Sequence, residues 1–238
     1  ASNGTLTVYA VNACGNGPVS TVAITVNPLP TATISYPSSQ YCTNTGGSIT
    51  VTVSGTSGGT FSSTPAGLQL NPTTGAITPS GSTPGNYIVT YSFNNGTCFN
   101  TSTTPMKISA TMSGTYTIGS GGDFATLTAA AAAYNNNCQT GAIVFSLISA
   151  SYTTGETFPV VFNKNSSASA VNTLTIKPAA GVTATIYGVL NNDALIKIYG
   201  DYISIDGSNN GSNSRNLTIW NEGSVKPRVL LFGSNSTN

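Results

Sequence analysis

The sequence predicts an all-β chain: an antiparallel β-sandwich followed by a parallel β-helix with one helix at its N-terminal end. Three observations carry this. Apolar residues alternate with Thr and Ser in short runs, the two-residue period of strands. Clusters of Gly, Pro and Asn separate those runs. In the last third, similar runs recur at a fixed step.

Charge is scarce and uneven. Only 5% of residues are charged, against about 25% in an average domain. No Asp, Glu, Lys or Arg precedes Lys107, so every charge lies from that residue onward. The change of composition puts a module boundary near residue 110. At about 100–200 residues per domain, 238 residues suggest two modules and a fragment. Disorder does not fit, because 39% of residues are hydrophobic and they alternate.

Residues 1–27 read as a hairpin, TLTVYAVN and VSTVAITV around the turn-rich ACGNGP. They are expected to be the last two strands of a preceding domain. NPLP (27–30) is a stiff joint. Residues 28–111 carry seven strand signals: ATISY, SITVTVSG, GTFSST, GLQLN, GAITPS, NYIVTYSF and MKISAT. That density, without helical periodicity, argues for a sandwich. Cys42 precedes an early strand and Cys98 follows a late one, so a Cys42–Cys98 disulfide is expected. It would close about 56 residues and contribute roughly 4 kcal/mol. Cys14 is expected to pair outside this stretch, and Cys138 has no partner in this reading.

Residues 112–238 are the expected β-helix. The run FATLTAAAAAY predicts a helix over about 124–134, capped by Asp123. The helix is expected to cover the first coil, whose strand edges and core would otherwise be open. TLTIKP, LIKIYG and LTIWNE begin at Thr173, Leu195 and Leu217. The two steps are equal, and at roughly 22 residues each they have the size of a solenoid repeat. Each step is taken as one coil.

The charge balance of +1 offers no footprint for nucleic acid. No apolar run reaches the ~20 residues of a membrane span. The chain has no His, the commonest general base and metal ligand. The carboxylates are Asp123, Glu156, Asp193, Asp201, Asp206 and Glu222. Asp123 is taken as the helix cap and Asp193, Asp201 and Asp206 as turn or corner residues, and Asp206 and Glu222 would share an outer face only if the coils stack suitably, so no catalytic and no metal residue is assigned. SNNGSNSRN lacks the carboxylate spacing of a calcium loop and reads as a coil corner, so no cofactor is expected. Tyr187, Tyr199, Tyr202, Asp206 and Trp220 are assigned to a candidate binding surface, on which the aromatic residues form a platform for sugar stacking, with Tyr187 and Tyr199 expected on successive coils.

PTATISYPSSQYC, GGTFSSTPAGLQLNPTTGAITPSGSTPGNYIVTYSF and a later Cys resemble a repeat of very large surface proteins of Bacteroidota. VYAVNACGNGPVS resembles the end of an Ig-like or fibronectin-like repeat. GSGGDFATLTAAAAAY, GETFPVVFN, NTLTIKPAAG and DYISIDGSNNGSNSRNLTI resemble the start of a pectin-lyase-type right-handed β-helix. The resemblance covers almost the whole chain and is specific to the repeat class, not to one activity. It implies an Ig-like sandwich, a right-handed coil, display on the outer membrane through type IX secretion, and adhesion, including gliding motility. The implied partners are a surface polysaccharide or other surface ligand, neighbouring domains of the same chain and the secretion machinery. The chain has neither the leader nor the sorting domain of a complete member, so it reads as an internal stretch of one. The other readings are a β-helix polysaccharide lyase or glycosidase and a self-assembling filament subunit.

Overall fold

The computed structural model describes residues 3–233. The chain forms two compact units. One holds the chain up to Tyr41 together with Thr45–Ile108, the other Cys42–Asn44 together with the chain from Ser109 onward. Among the described residues no helix is long and apolar enough to cross a membrane.

The first unit opens with the expected hairpin. Strand β1 (Gly4–Val8) and inner strand β2 (Val11–Asn12) return as β3 (Gly15–Asn16) and β4 (Ser20–Ile24). The register Leu6↔Val22 puts Leu6, Val8, Val22 and Ile24 on one face and Thr5, Thr7, Thr21 and Ala23 on the other. The four apolar side chains are all exposed.

Next come β5 (Ala32–Ser35), β6 (Gln40–Cys42), β7 (Thr52–Gly55), β8 (Thr60–Thr64), β9 (Gly85–Asn94) and β10 (Phe99–Ser109). They make a four-stranded sheet in the order β6-β10-β9-β8 and a separate β5-β7 ladder. Alternation along β9 sends Tyr87, Val89, Tyr91 and Phe93 inward. They join Ile34, Phe61, Ile77, Met106 and Ile108 in one core. The ring of Tyr91 lies 4.6 Å from Phe61 and 5.2 Å from Phe93, while its hydroxyl donates to Thr56 O at 3.1 Å. GLQLN and GAITPS do not become full strands. They meet through a single bridge, Leu70↔Ile77, and a second bridge, Ile49↔Ile77, ties GAITPS to the segment before β7. Asn71 Oδ1 accepts from the N–H of Thr73 and Thr74 and folds the chain into a turn. Pro79 then starts a 3-10 turn.

The second unit is a parallel β-solenoid of about four turns. Strand β11 (Thr111–Ile118) leads through helix α1 (Leu127–Asn136) into the first coil, β12 (Cys138–Leu147), β13 (Ser151–Tyr152) and β14 (Val160–Phe162). The second coil is β15 (Leu174–Pro178), β16 (Ala184–Gly188) and β17 (Ala194–Ile198). The third is β18 (Ile203–Ile205), β19 (Leu217–Asn221) and β20 (Arg228–Phe232). Each coil has three sides, giving parallel sheets β11-β12-β15-β18, β13-β16-β19 and β14-β17-β20.

The coil is longer than the step expected from sequence. Ile143, Leu174 and Ile203 lie side by side, as do Val160, Ile196 and Leu230, and Ala184 lies beside Leu217. Just before that last pair, the Asn216 amide donates to the Thr183 hydroxyl one coil away, a separation of 33 residues. Thr173, Leu195 and Leu217 begin or adjoin β15, β17 and β19, which belong to three different sheets. Each side repeats the same strand-and-corner pattern, so a step of two sides looks periodic in sequence. Inward residues of all three sides pack one core, including Phe145, Phe162, Leu174, Ile176, Ile186, Ile196 and Ile198. Leu127, Ala130, Ala131 and Tyr134 of α1 join that core, with Tyr134 and Phe162 rings 6.1 Å apart.

The helix begins later than expected, and Asp123 does not cap it. Thr126 is the N-cap, its side chain accepting from Ala129 N–H at 3.0 Å. Asp123 instead accepts from the backbone N–H and the hydroxyl of Thr117, each at 2.7 Å. These bonds favour the carboxylate and hold Asp123 below its ordinary pKa. Phe124 accordingly lies before the helix and not on its face.

The expected Cys42–Cys98 bridge is not formed. Cys42 bonds Cys138, with Cα atoms 5.9 Å apart, and Cys98 is free. The reason is strand length. Cys98 closes the β9–β10 turn, where its N–H donates to Asn95 Oδ1. Thr43 N–H donates to Ser109 O, so Cys42 lies at the other end of the 11-residue strand β10. That end is roughly 33 Å away at ~3.3 Å per residue. Cys138 arrives there because it pairs with Thr111 across β11 and β12.

Peptide mapping without reductant should recover a Cys42–Cys138 cross-linked peptide while alkylation marks Cys14 and Cys98. The bridge spans a sequence separation of 96, so Cys138→Ser should cost about 2–5 kcal/mol in denaturant unfolding. A Cys42–Cys98 peptide would contradict the fold.

Candidate binding face

Outward positions of the solenoid are set by the same alternation that fills its core. On β16 and β19, Ala184, Ile186 and Ile219 turn inward, leaving Thr185, Tyr187, Thr218 and Trp220 outward. The parallel register then aligns Thr185 with Thr218 and Tyr187 with Trp220. The two rings are 5.5 Å apart and inclined by 69°, an edge-on pair. Trp220 is 54% exposed.

Glu222 completes the group. It stands two residues after Trp220, on the same side of the strand line, and receives a hydrogen bond from the Tyr187 hydroxyl. That bond fixes the phenolic proton and raises the Tyr187 pKa above its ordinary value. The backbone beneath is held firmly. Glu222 N–H donates to Gly188 O at 2.9 Å. Between Trp220 and Glu222, Asn221 is buried. Its amide donates to Leu190 O, Asp193 O and Arg228 O, and its Oδ1 accepts from the N–H of Leu190 and Gly223. One buried side chain thus ties the corner after β19 to the corner of the coil before it.

The other residues assigned to the platform lie elsewhere. Tyr199 follows β17, so it shares a coil with Tyr187 but occupies a different side. The expected stacking of Tyr187 and Tyr199 on successive coils is therefore wrong, and Trp220 takes that place. Tyr202 is exposed just before β18, with φ of 58°. Asp206 follows β18 on the first sheet, 3.9 Å from Lys177 and accepting from Ser208 N–H. Sequence reasoning missed Glu222 and Asn221 as site residues. The signal for Glu222 was present in LTIWNE, where Trp and Glu are two residues apart.

Glu156 and Asp193 serve the scaffold, while Asp201 is exposed just before β18. Both oxygens of Glu156 meet the start of α1, accepting from Leu127 N–H at 2.7 Å, Thr128 N–H at 2.8 Å and the Thr128 hydroxyl at 2.6 Å. A carboxylate there satisfies two orphan donors and opposes the helix dipole. Asp193 bonds Lys197 at 2.7 Å, which lowers its pKa. The run SNNGSNSRN bonds to itself and to the coil before it. Asn210 Oδ1 accepts from the hydroxyls of Ser208, Ser212 and Ser214, and the Asn209 amide donates to Val182 O. This is a coil corner. Among the described residues no three metal-ligating side chains of His, Cys, Asp or Glu converge.

The first unit has an open groove of about 410 Å³ lined by Thr64, Pro65, Ile88, Pro105 and Lys107 among others. Its walls are mostly apolar. No family model, curated protein or solved structure matches the chain.

If Glu156 closes the start of α1, Glu156→Ala should lower stability by about 1–3 kcal/mol, since it strands two helix N–H groups. Glu156→Gln should cost less. Chemical denaturation of the two variants checks this order, and equal losses would contradict it.

Proposed function

We propose that the chain is a non-catalytic module of an extracellular surface adhesin, in which the solenoid displays a binding face for polysaccharide. The observation that carries this reading is the aligned outward pair Tyr187 and Trp220 with Glu222 beside it, on a strand ladder held by buried Asn221. Binding sites built on strands hold their geometry better than sites on loops. The disulfide supports an oxidising compartment outside the cytoplasm. The resemblance to Bacteroidota surface repeats, exported by type IX secretion and engaged in adhesion or gliding, points the same way. In this reading the first unit is an Ig-like spacer, the coil is right-handed, and α1 closes its first turn.

The carboxylates support binding over turnover. Glu156 is committed to the helix start, Asp193 to Lys197, and Asp123 to Thr117. Asp206 and Glu222 follow strands of different sheets, so the paired carboxylates of a glycosidase are not assembled from them.

The purified chain should be retained on polysaccharide-coated surfaces without releasing reducing ends or unsaturated sugars, with or without calcium. Turnover that disappears in Asp206→Ala would replace the adhesive reading with an enzymatic one.

A further inference from the structure

We propose that Trp220, Tyr187 and Glu222 form a subsite for a pyranose ring that carries no negative charge. This rests on the adhesive reading and narrows it to one place and one class of sugar. A sugar ring has an apolar C–H face and a rim of hydroxyls. The subsite has the matching parts: an indole 54% exposed, and a carboxylate that is exposed beside it. The Tyr187 hydroxyl takes part of the carboxylate's accepting capacity. The remaining lone pairs of Glu222 face solvent and accept from sugar hydroxyls, as a carboxylate with about four acceptor sites allows.

Charge decides the class of sugar. The hydrogen-bond donor to Glu222 is a neutral phenol, so the subsite keeps a net negative charge. Among the described residues the ion pairs of the solenoid, Lys177 with Asp206 and Lys197 with Asp193, hold their cations on strands of the other two sheets, and neither Lys226 nor Arg228 forms an ion pair with Glu222. A uronate carboxylate brought within ~4 Å of Glu222 is repelled by a factor of about five even in water. A neutral hexopyranose meets no such penalty. A single ring on an exposed face binds weakly, and retention on a surface comes from several such contacts at once.

The test titrates the chain with cellohexaose, chitohexaose and hexagalacturonate, following Trp220 fluorescence and heat. The variants are Trp220→Ala, Trp220→Tyr and Glu222→Gln, each confirmed as folded by circular dichroism. The neutral hexamers should bind, and Trp220→Ala should weaken them at least ten-fold. Trp220→Tyr should recover part of that loss. Glu222→Gln removes a charge-assisted acceptor, so it should weaken the neutral hexamers several-fold, and by removing the repulsion it should narrow their preference over hexagalacturonate at least five-fold. Hexagalacturonate binding the unaltered chain as tightly as the neutral hexamers overturns the charge selectivity. Neutral binding untouched by Trp220→Ala overturns the subsite while leaving adhesion standing. If no hexamer binds, the subsite falls, and retention on polysaccharide-coated surfaces then shows whether the adhesive reading falls with it.

Discussion

Everything in the second unit depends on one constraint, the in-register parallel ladder between coils. A parallel strand cannot pair with its chain neighbour through a tight turn, so each strand waits a full circuit for its partner. Ile143 meets Leu174 and then Ile203 in this way, and Val160 meets Ile196 and Leu230. Once that register is set, inward columns of Ile, Leu, Val and Phe fill the core. Outward columns follow without further choice, because strand residues alternate between faces. Sliding one strand by a single residue would turn Ile219 out and Trp220 in, so the binding face and the core share one determinant.

The corners enforce the register where the strands are short. Strand β18 has three residues and β13 has two, too few to hold a coil on ladder bonds alone. Side-chain amides carry the rest. Asn221 reaches Leu190, Asp193 and Arg228, and Asn209 reaches Val182. Glu156 does the same at the other end, where it joins the segment after β13 to the start of α1. These polar groups explain how a chain with so few charges specifies one stacking. Their cost is low because their hydrogen bonds are made.

Much of this was legible as local pattern. Alternation in TLTIKP, ATIYGV and LTIWNE marks strands and their inward faces, because burial of one face leaves a two-residue period. The hairpin before NPLP and the Asn-rich corner after Asp206 were legible for the same kind of reason, turn chemistry. What failed was every inference that needed distance around the fold. The step from Thr173 to Leu195 is two sides of a three-sided coil, and nothing local distinguishes a side from a coil. The pairing of Cys42 required knowing that β10 runs on for 11 residues between the Cys98 turn and Ser109. Glu156 stands 29 residues from Leu127, so its role at the helix could not be read from spacing. Tyr187 found Trp220 rather than Tyr199 because contact follows the coil, not the nearest aromatic in sequence.

The register can be measured directly. With Cys14 and Cys98 replaced by Ser, Thr175→Cys/Ser204→Cys places two thiols at Cα partners on neighbouring coils, within the reach of a disulfide. Thr175→Cys/Lys197→Cys instead spans the shorter step suggested by the sequence and joins different sheets. Mild oxidation should cross-link the first pair in the folded protein and leave the second pair reduced. Cross-linking of the second pair and not the first would contradict the three-sided coil and, with it, the alignment of Tyr187 with Trp220.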